Sequence, residues 1–220
     1  MARVLAIGDV HLPAEHPRYL EWVMEVHDAW QCDRVVFIGD VLDWHSISFH
    51  QKELDAPNVE KEYEQAFERL QEWQYAFPVA EVMIGNHDER VERLAASSGI
   101  PSRFIHSFAD TWKTPQWEWK RETFIDGVRY LHGTGLGGQQ PALRAAKASM
   151  VSTVCGHVHS QAGVRWSAGP DRIIFGLDTG CGVDFKHHAA HRYGRDMISK
   201  PILGCGVVID AHPYHECMPF

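Results

Sequence analysis

Val79-Ala80-Glu81-Val82-Met83-Ile84-Gly85-Asn86-His87-Asp88 is an apolar run that stops at a glycine and then presents an amide, an imidazole and a carboxylate. The short run, closed by Gly, predicts a buried strand, and the polar residues after it stand where packing does not ask for them. Three more apolar runs end the same way. Val4-Leu5-Ala6-Ile7 leads to Gly8, Asp9 and His11; Arg34-Val35-Val36-Phe37-Ile38 leads to Gly39, Asp40 and Asp43; Val151-Ser152-Thr153-Val154-Cys155 leads to Gly156, His157 and His159. In open sheets built from strand–helix units, ligands bind beyond the carboxyl ends of the strands, so these residues are expected to converge.

Between the strands, helical periodicity recurs. Leu20, Val23, Met24, His27 and Trp30 mark a helix over about residues 17–30, and strand–helix–strand order implies parallel pairing. Asn58 can cap a helix whose core stripe is Val59, Tyr63, Ala66, Phe67, Leu70 and Trp73 or Gln74. Residues 44–57 read as a loop near the site, and a short helix over about 89–96 should turn Val91, Leu94 and Ala95 inward. Residues 97–120, with Trp112, Trp117 and Trp119, are expected to be an insertion or a long connection. Asp126-Gly127 between two strand-like runs predicts a hairpin whose second run ends at His132. Residues 133–140 are flexible by composition, and Pro141 can open a helix through about Ser149. Late strands at 172–175 and 206–209 are expected to be antiparallel, joined through a segment rich in His and Arg. One domain over residues 1–220, with two central sheet layers or one large mixed sheet and helices outside, is the economical reading.

Composition narrows the function. At 220 residues and 45% hydrophobic content the chain can bury a sizeable core. A formal charge of −8 argues against gripping long duplex DNA, although a small anionic substrate can still meet a local field of opposite sign. The five cysteines form no CxxC pair and read as reduced, mostly buried thiols of a cytoplasmic protein. No signal peptide is expected, and no run reaches the roughly 18 apolar residues of a membrane span.

Seven groups at strand ends suit divalent metals: Asp9, His11, Asp40, Asn86, His132, His157 and His159. Three oxygens and four imidazoles are too many for one four-coordinate ion and about right for two ions sharing a carboxylate. Nitrogen and oxygen ligands without thiolate suit Mn, Fe, Zn, Co or Ni, and Mn is the first expectation. The blocks Asp9-x-His11, Gly39-Asp40-x-x-Asp43, Gly85-Asn86-His87-Asp88, an isolated His132 and Gly156-His157-x-His159, in that order, resemble the calcineurin-like metallophosphoesterase family.

The resemblance implies an α/β fold of four layers, an αββα sandwich of two mixed β-sheets flanked by helices. It also implies that Asp9, His11 and His159 hold one ion, that Asp40 bridges, and that Asn86, His132 and His157 complete the other. His87, oriented by Asp43, would stand at the leaving-group oxygen as the catalytic pair, and a hydroxide bridging the metals would attack phosphorus. The implied substrate is a phosphomonoester or phosphodiester, a nucleotide among the candidates. Asp88 is expected to support the Asn86-His87 turn or to cap the next helix.

Other readings stand beside this one. A nuclease or a phosphatase of nucleic-acid ends is the alternative, disfavoured by the charge, and a non-catalytic binding module is the third, disfavoured by the complete ligand set. His187, His188 and His191, and likewise His212 and His215, are expected to be surface residues, and Arg90, Lys186, Arg192 and Arg195 solvated charges. The tryptophans of 112–119 are expected in the core rather than as a base-stacking platform. Trp44 stands where the family's protein phosphatases have Arg, which makes a phosphoprotein substrate doubtful, and it would form an apolar wall of the cleft.

Overall fold

A computed structural model describes residues 1–48, 57–187 and 198–219. The chain opens as β1 (Arg3–Ile7), α1 (Tyr19–Trp30) and β2 (Arg34–Phe37), with β1 and β2 parallel. α2 (Val59–Ala76) leads to β3 (Ala80–Met83), parallel to β2. Next come α3 (Arg90–Ser97), α4 (Phe108–Trp112) and β4 (Trp117–Lys120). The second half runs β5 (Glu122–Ile125), β6 (Val128–Leu131), α5 (Pro141–Ser149), β7 (Thr153–Cys155), β8 (Ala162–Ala168) and β9 (Ile173–Thr179). β10 (Gly204–Ile209) and β11 (His212–Cys217) return to the first sheet.

The strands form a six-stranded sheet in the order β11-β10-β1-β2-β3-β4 and a five-stranded sheet in the order β5-β6-β7-β9-β8. Both are mixed, since β10 runs antiparallel to β1, and β5 and β8 run antiparallel to β6 and β9. The alternation of β1 shows how the layers are built. Leu5 and Ile7 face the helices and pack in one core with Tyr19, Val23, Leu70 and Trp73. Val4 and Ala6 face the other way and join Tyr130, Val154, Phe175 and Leu177 between the sheets. On the far side α5 lays Ala142 and Ala145 against Cys155. Helix, sheet, sheet and helix thus stack in four layers. Trp73, fully buried against Phe37 and Phe77, anchors the outer core, and its truncation to Ala should cost about 3–5 kcal/mol.

Several expectations need correction. In α1 the buried face is Tyr19, Val23 and Val26, while Met24 is 42% exposed. The Tyr19 hydroxyl donates to the Gly204 carbonyl at 2.7 Å, which rotates the helix toward that anchor. Val59 of α2 and Leu94 of α3 are likewise exposed. Residues 97–120 are not looped out: they contain α4 and end in β4, which pairs with β3 in parallel and extends the first sheet. Trp112 and Trp117 are buried there, and the Trp117 indole donates to Phe77 O at 2.8 Å, so these two rings are core.

The late strands β9 and β10 lie in different sheets, and β9 runs parallel to β7. β8 and β11 had no expected counterpart. β11 contains Pro213, tolerated because it is an edge strand. Its hairpin turns on Asp210 and Ala211, both at positive φ without glycine, which hides the turn from composition. His212 of this strand is exposed and His215 half-buried. Four of the five free cysteines are buried, and no helix among the described residues is long and apolar enough to cross a membrane.

Candidate metal centre

Five strands deliver the site. Asp9 and His11 follow β1, Asp40 and Asp43 follow β2, Asn86 and His87 follow β3, His132 follows β6, and His157 and His159 follow β7. Asp9, His11, Asp40, Asp43 and His132 are buried, whereas Asn86, His87, His157 and His159 are half-buried and form the mouth. Candidate ligand atoms gather in three groups, each within 4.8 Å: Asp9, His11 and His159; His11, Asp40 and His87; and Asp40, His132 and His157. Asp40 thus lies between the outer groups, its Oδ2 at 3.6 Å from His11 Nε2 and 3.2 Å from His132 Nε2. Asn86 Oδ1 is 3.2 Å from His132 Nε2, and His159 Nε2 is 3.0 Å from Asp9 Oδ2. All seven residues singled out from the sequence meet at this end of the sheets. His87 also lies within reach of the middle group, which the sequence reading had not placed there.

The loops are shaped tightly around these groups. His11, Asp40 and His157 have φ of 56°, 46° and 68°, left-handed values that cost a side-chain-bearing residue on the order of 1–3 kcal/mol each. Glycine clears the space beside them: a methyl group at Gly85 would collide with the Asp40 carboxylate, and one at Gly156 with that of Asp9. Backbone donors fix both carboxylates, His87 N to Asp40 Oδ1 and His157 N to Asp9 Oδ2, each at 2.7 Å. Asp88, also buried, accepts from Leu42 N at 3.0 Å and Gly85 N at 2.8 Å, tying the turn after β3 to the loop after β2. Its carboxyl, pressed by burial and the Asp40 charge, is pushed up to about 7.

The outer contacts decide which imidazole nitrogens face inward. A carboxylate oxygen only accepts, so His11 and His87 both donate Nδ1–H to Asp43 Oδ1, at 2.9 and 3.0 Å. His132 Nδ1 donates to Ile38 O at 2.9 Å. Nε2 of His11 and His132 is therefore the nitrogen that faces inward, the usual arrangement of a ligating histidine held by a second group.

The charges follow from this crowding. Burial opposes the Asp40 charge, yet His132 and His87 hold its carboxyl well below the usual range. Burial likewise opposes a charge on His132, but the Asp40 and Asp9 carboxylates outweigh it and lift that imidazole to about 10. His11 and His157 move the other way, lowered by burial and then by the neighbouring histidines His87 and His132. For His87, burial is outweighed by Asp40 and Asp43, which raise it.

This donor set fits divalent ions. Asp40 Oδ2, Asn86 Oδ1 and His157 Nδ1 each lie 3.2 Å from His132 Nε2. The proton that Asp40 and Asp9 hold on His132 sits among these groups, and a divalent ion can take its place. Asp9 Oδ1 and His11 Nε2 are buried with no hydrogen-bond partner among the described residues, which leaves both available to a metal.

Two features escaped the sequence reading. Asp43 serves two histidines rather than one, which only the approach of the β1 and β2 loops reveals. Arg90, read as a solvated charge, is half-buried beside His87. Arg90 follows His87 by one tight turn, its N–H on His87 O at 3.1 Å, and that turn brings its side chain back to the imidazole. Trp44 does not line the cleft, being buried against Tyr63 and Trp112, with its backbone rather than its ring turned toward Arg90. Phe49, His50, His188, His191, Arg192 and Arg195 lie outside the described residues. Lys186 is exposed, and His187 is half-buried with its backbone N–H on Asp184 O.

Two mixed sheets that place carboxylate, amide and imidazole ligands at one end define a metal-binding α/β protein. Residues 2–172 match the family model described as calcineurin-like phosphoesterase, and the chain belongs to that family. Among solved structures, it is similar to YfcE, a phosphoesterase from E. coli, at 17% identity over 94% of this chain and 88% of that one, with a TM-score of 0.45. It is also similar to a metallophosphoesterase from Sphaerobacter thermophilus (14%, covering 100% and 88%, TM-score 0.44) and to a single mutant of Vps29 from Entamoeba histolytica (11%, covering 99% of each, TM-score 0.44). No curated protein matches the chain.

Proposed function

We propose that this chain is a dinuclear, metal-dependent hydrolase of phosphate esters, folded as one domain over residues 1–220. The observation that supports it best is the crowding of carboxylate and imidazole ligand atoms on both sides of Asp40, where family membership leads one to look for metal. Asp9, His11 and His159 would hold one ion, Asn86, His132 and His157 the other, and Asp40 both. Mn is the first expectation, with Fe, Zn, Co and Ni also matching the ligand types. Bound there, two divalent ions lower the pKa of water and neutralise the oxygens of a phosphoryl group.

The rest falls to the side chains. Asp43, through one carboxylate oxygen, fixes the tautomer of both His11 and His87. Its charge, with that of Asp40, raises the proton affinity of His87 against the cost of burial. His87 stands at the half-buried mouth and would deliver a proton to the departing oxygen, a contribution of roughly 10²- to 10⁴-fold for a positioned acid. Substrates are small phosphomonoesters or phosphodiesters, nucleotides included. A net charge of −8 weighs against nucleic acid. Buried free thiols suit the reducing cytoplasm.

The test is to purify the protein without chelator and compare Mn-stimulated hydrolysis of p-nitrophenyl phosphate and bis-p-nitrophenyl phosphate. Turnover of one or both is expected, and their ratio separates monoesterase from diesterase. Turnover of neither, by protein that carries metal, overturns the proposal.

A further inference from the structure

Arg90 opens α3 three residues past His87 and reaches back over the mouth of the centre. Its Nη1 donates to Asp43 O at 2.6 Å and to Trp44 O at 3.2 Å, and its Nη2 lies 3.1 Å from His87 Nε2. A guanidinium cannot accept, so in this arrangement His87 Nε2 is the acceptor. Two of the five N–H groups, on Nε and Nη2, make no hydrogen bond among the described residues.

Of the other half-buried arginines, Arg69 and Arg129 pair with glutamate carboxylates, whereas Arg3, away from the site, donates its Nε–H to the carbonyls of Trp30 and Gln31. Arg90, half-buried, has no carboxylate within 4.0 Å among the described residues and is held by neutral carbonyls and an imidazole, with Asp43, Asp40 and Glu62 as its more distant counter-charges. A guanidinium taken partly out of water without a carboxylate in contact is costly, and the cost is offset when an anion docks on its free edge. That edge is fork-shaped, suits two oxygens of one phosphoryl group, and lies beside the histidine that faces the leaving group.

Resting on the phosphoesterase reading above, we infer that Arg90 grips the phosphoryl group of the substrate with its free Nε–Nη2 edge and, in turning toward it, frees His87 Nε2 to take up a proton from solvent and pass it to the leaving oxygen. Arg90 then is a third fixed cation of the site, supplied by the protein. A dianionic monoester gains more from it than a monoanionic diester, so the residue tilts the enzyme toward phosphomonoesters.

The experiment uses metal-loaded wild type, Arg90→Ala and Arg90→Lys, with metal content checked in each. Inorganic phosphate is titrated by calorimetry, and KM and kcat are measured for p-nitrophenyl phosphate and bis-p-nitrophenyl phosphate. Arg90→Ala should weaken phosphate binding by about 10- to 100-fold, the worth of hydrogen bonds to a charged group. It should raise KM for the monoester more than for the diester, and added guanidinium at sub-denaturing concentration should restore part of the phosphate affinity. Arg90→Lys should fall between, keeping charge without the fork, and it decides the matter if Arg90→Ala loses metal. Phosphate affinity within twofold of wild type in both variants, with a fall in kcat alone, would overturn the inference and leave Arg90 as a support for His87. Arg90-dependent phosphate binding by a wild type that hydrolyses neither ester would instead uphold it while removing the hydrolase reading.

Discussion

Asp40 and Glu81 are both buried carboxylates of the first sheet, one beyond the carboxyl end of β2 and the other near the start of β3. Glu81 is met by Arg34, by Lys120 Nζ at 3.1 Å and by the Thr123 hydroxyl at 2.6 Å, a set that bridges the two sheets. Burial alone would raise its pKa, but Thr123, Lys120 and Arg34 together leave it lowered. Asp40 is met by the imidazoles of His11 and His132 and by backbone N–H. One end of the sheet is matched by Arg and Lys; the other gathers carboxylates and imidazoles whose protons a metal can displace. A cavity of about 510 Å³ opens at the Glu81 end, lined by Arg34, Glu81, Glu118 and Lys120. Its charges already satisfy one another, so volume is a poorer guide to function here than imbalance of charge.

Substitutions at the two ends should therefore behave differently. Asp40→Asn removes the carboxylate between the ligand groups and should reduce p-nitrophenyl phosphate turnover by about 10³-fold, several kcal/mol of lost metal-borne stabilisation, with metal loss seen by elemental analysis. His87→Asn should keep the metal and cost roughly 10²-fold, the low end for a general acid because nitrophenolate departs with little help; a poorer leaving group should widen the loss. Asp43→Asn still offers an oxygen to both histidines, and a loss of about 10-fold in metal affinity is expected from the weakened support of His11.

Glu81→Gln should leave metal content and turnover within about twofold and reduce folding stability by about 1–2 kcal/mol, modest because Arg34 and Lys120 are partly solvated. Its pH signature has a definite sign. The folded state binds the Glu81 proton more weakly than the unfolded state, so the stabilisation is present above the ordinary glutamate value of 4.5 and is lost as pH falls below it. Urea unfolding at pH 7 and pH 4 should show a smaller difference in the variant than in wild type. A Glu81 variant that lost metal, or an Asp40 variant that kept it, would break the contrast between the two ends.

Most of this site was legible because its residues announce themselves locally: a strand that ends in Gly-Asp or Gly-Asn-His is a short continuous apolar run followed by groups with no packing reason to be there. The residues left two sheet layers or one large mixed sheet open, and family resemblance chose between them, since an all-apolar run such as Val4-Leu5-Ala6-Ile7 cannot say whether its second buried face meets a sheet or more helices. What stayed hidden depends on distant partners. The face of α1 was turned by the Tyr19 bond to Gly204, 185 residues away. β8 and β11 carry Arg, Pro and His because they are edges that need not be buried on both faces. Arg90 looked like any helix-surface charge until the loop after β2 closed over it.

Titration of chelator-treated protein with Mn, followed by calorimetry in buffers of different ionisation enthalpy, tests the central claim most directly. With His132 held near 10 by Asp40 and Asp9, an incoming metal must displace a proton. The expected result is two equivalents bound, protons released on binding, affinity that rises with pH, and a raised Tm. Failure to bind Mn or any of Fe, Zn, Co and Ni, with Tm unchanged, would contradict it and return the strand-end cluster to the same standing as Glu81.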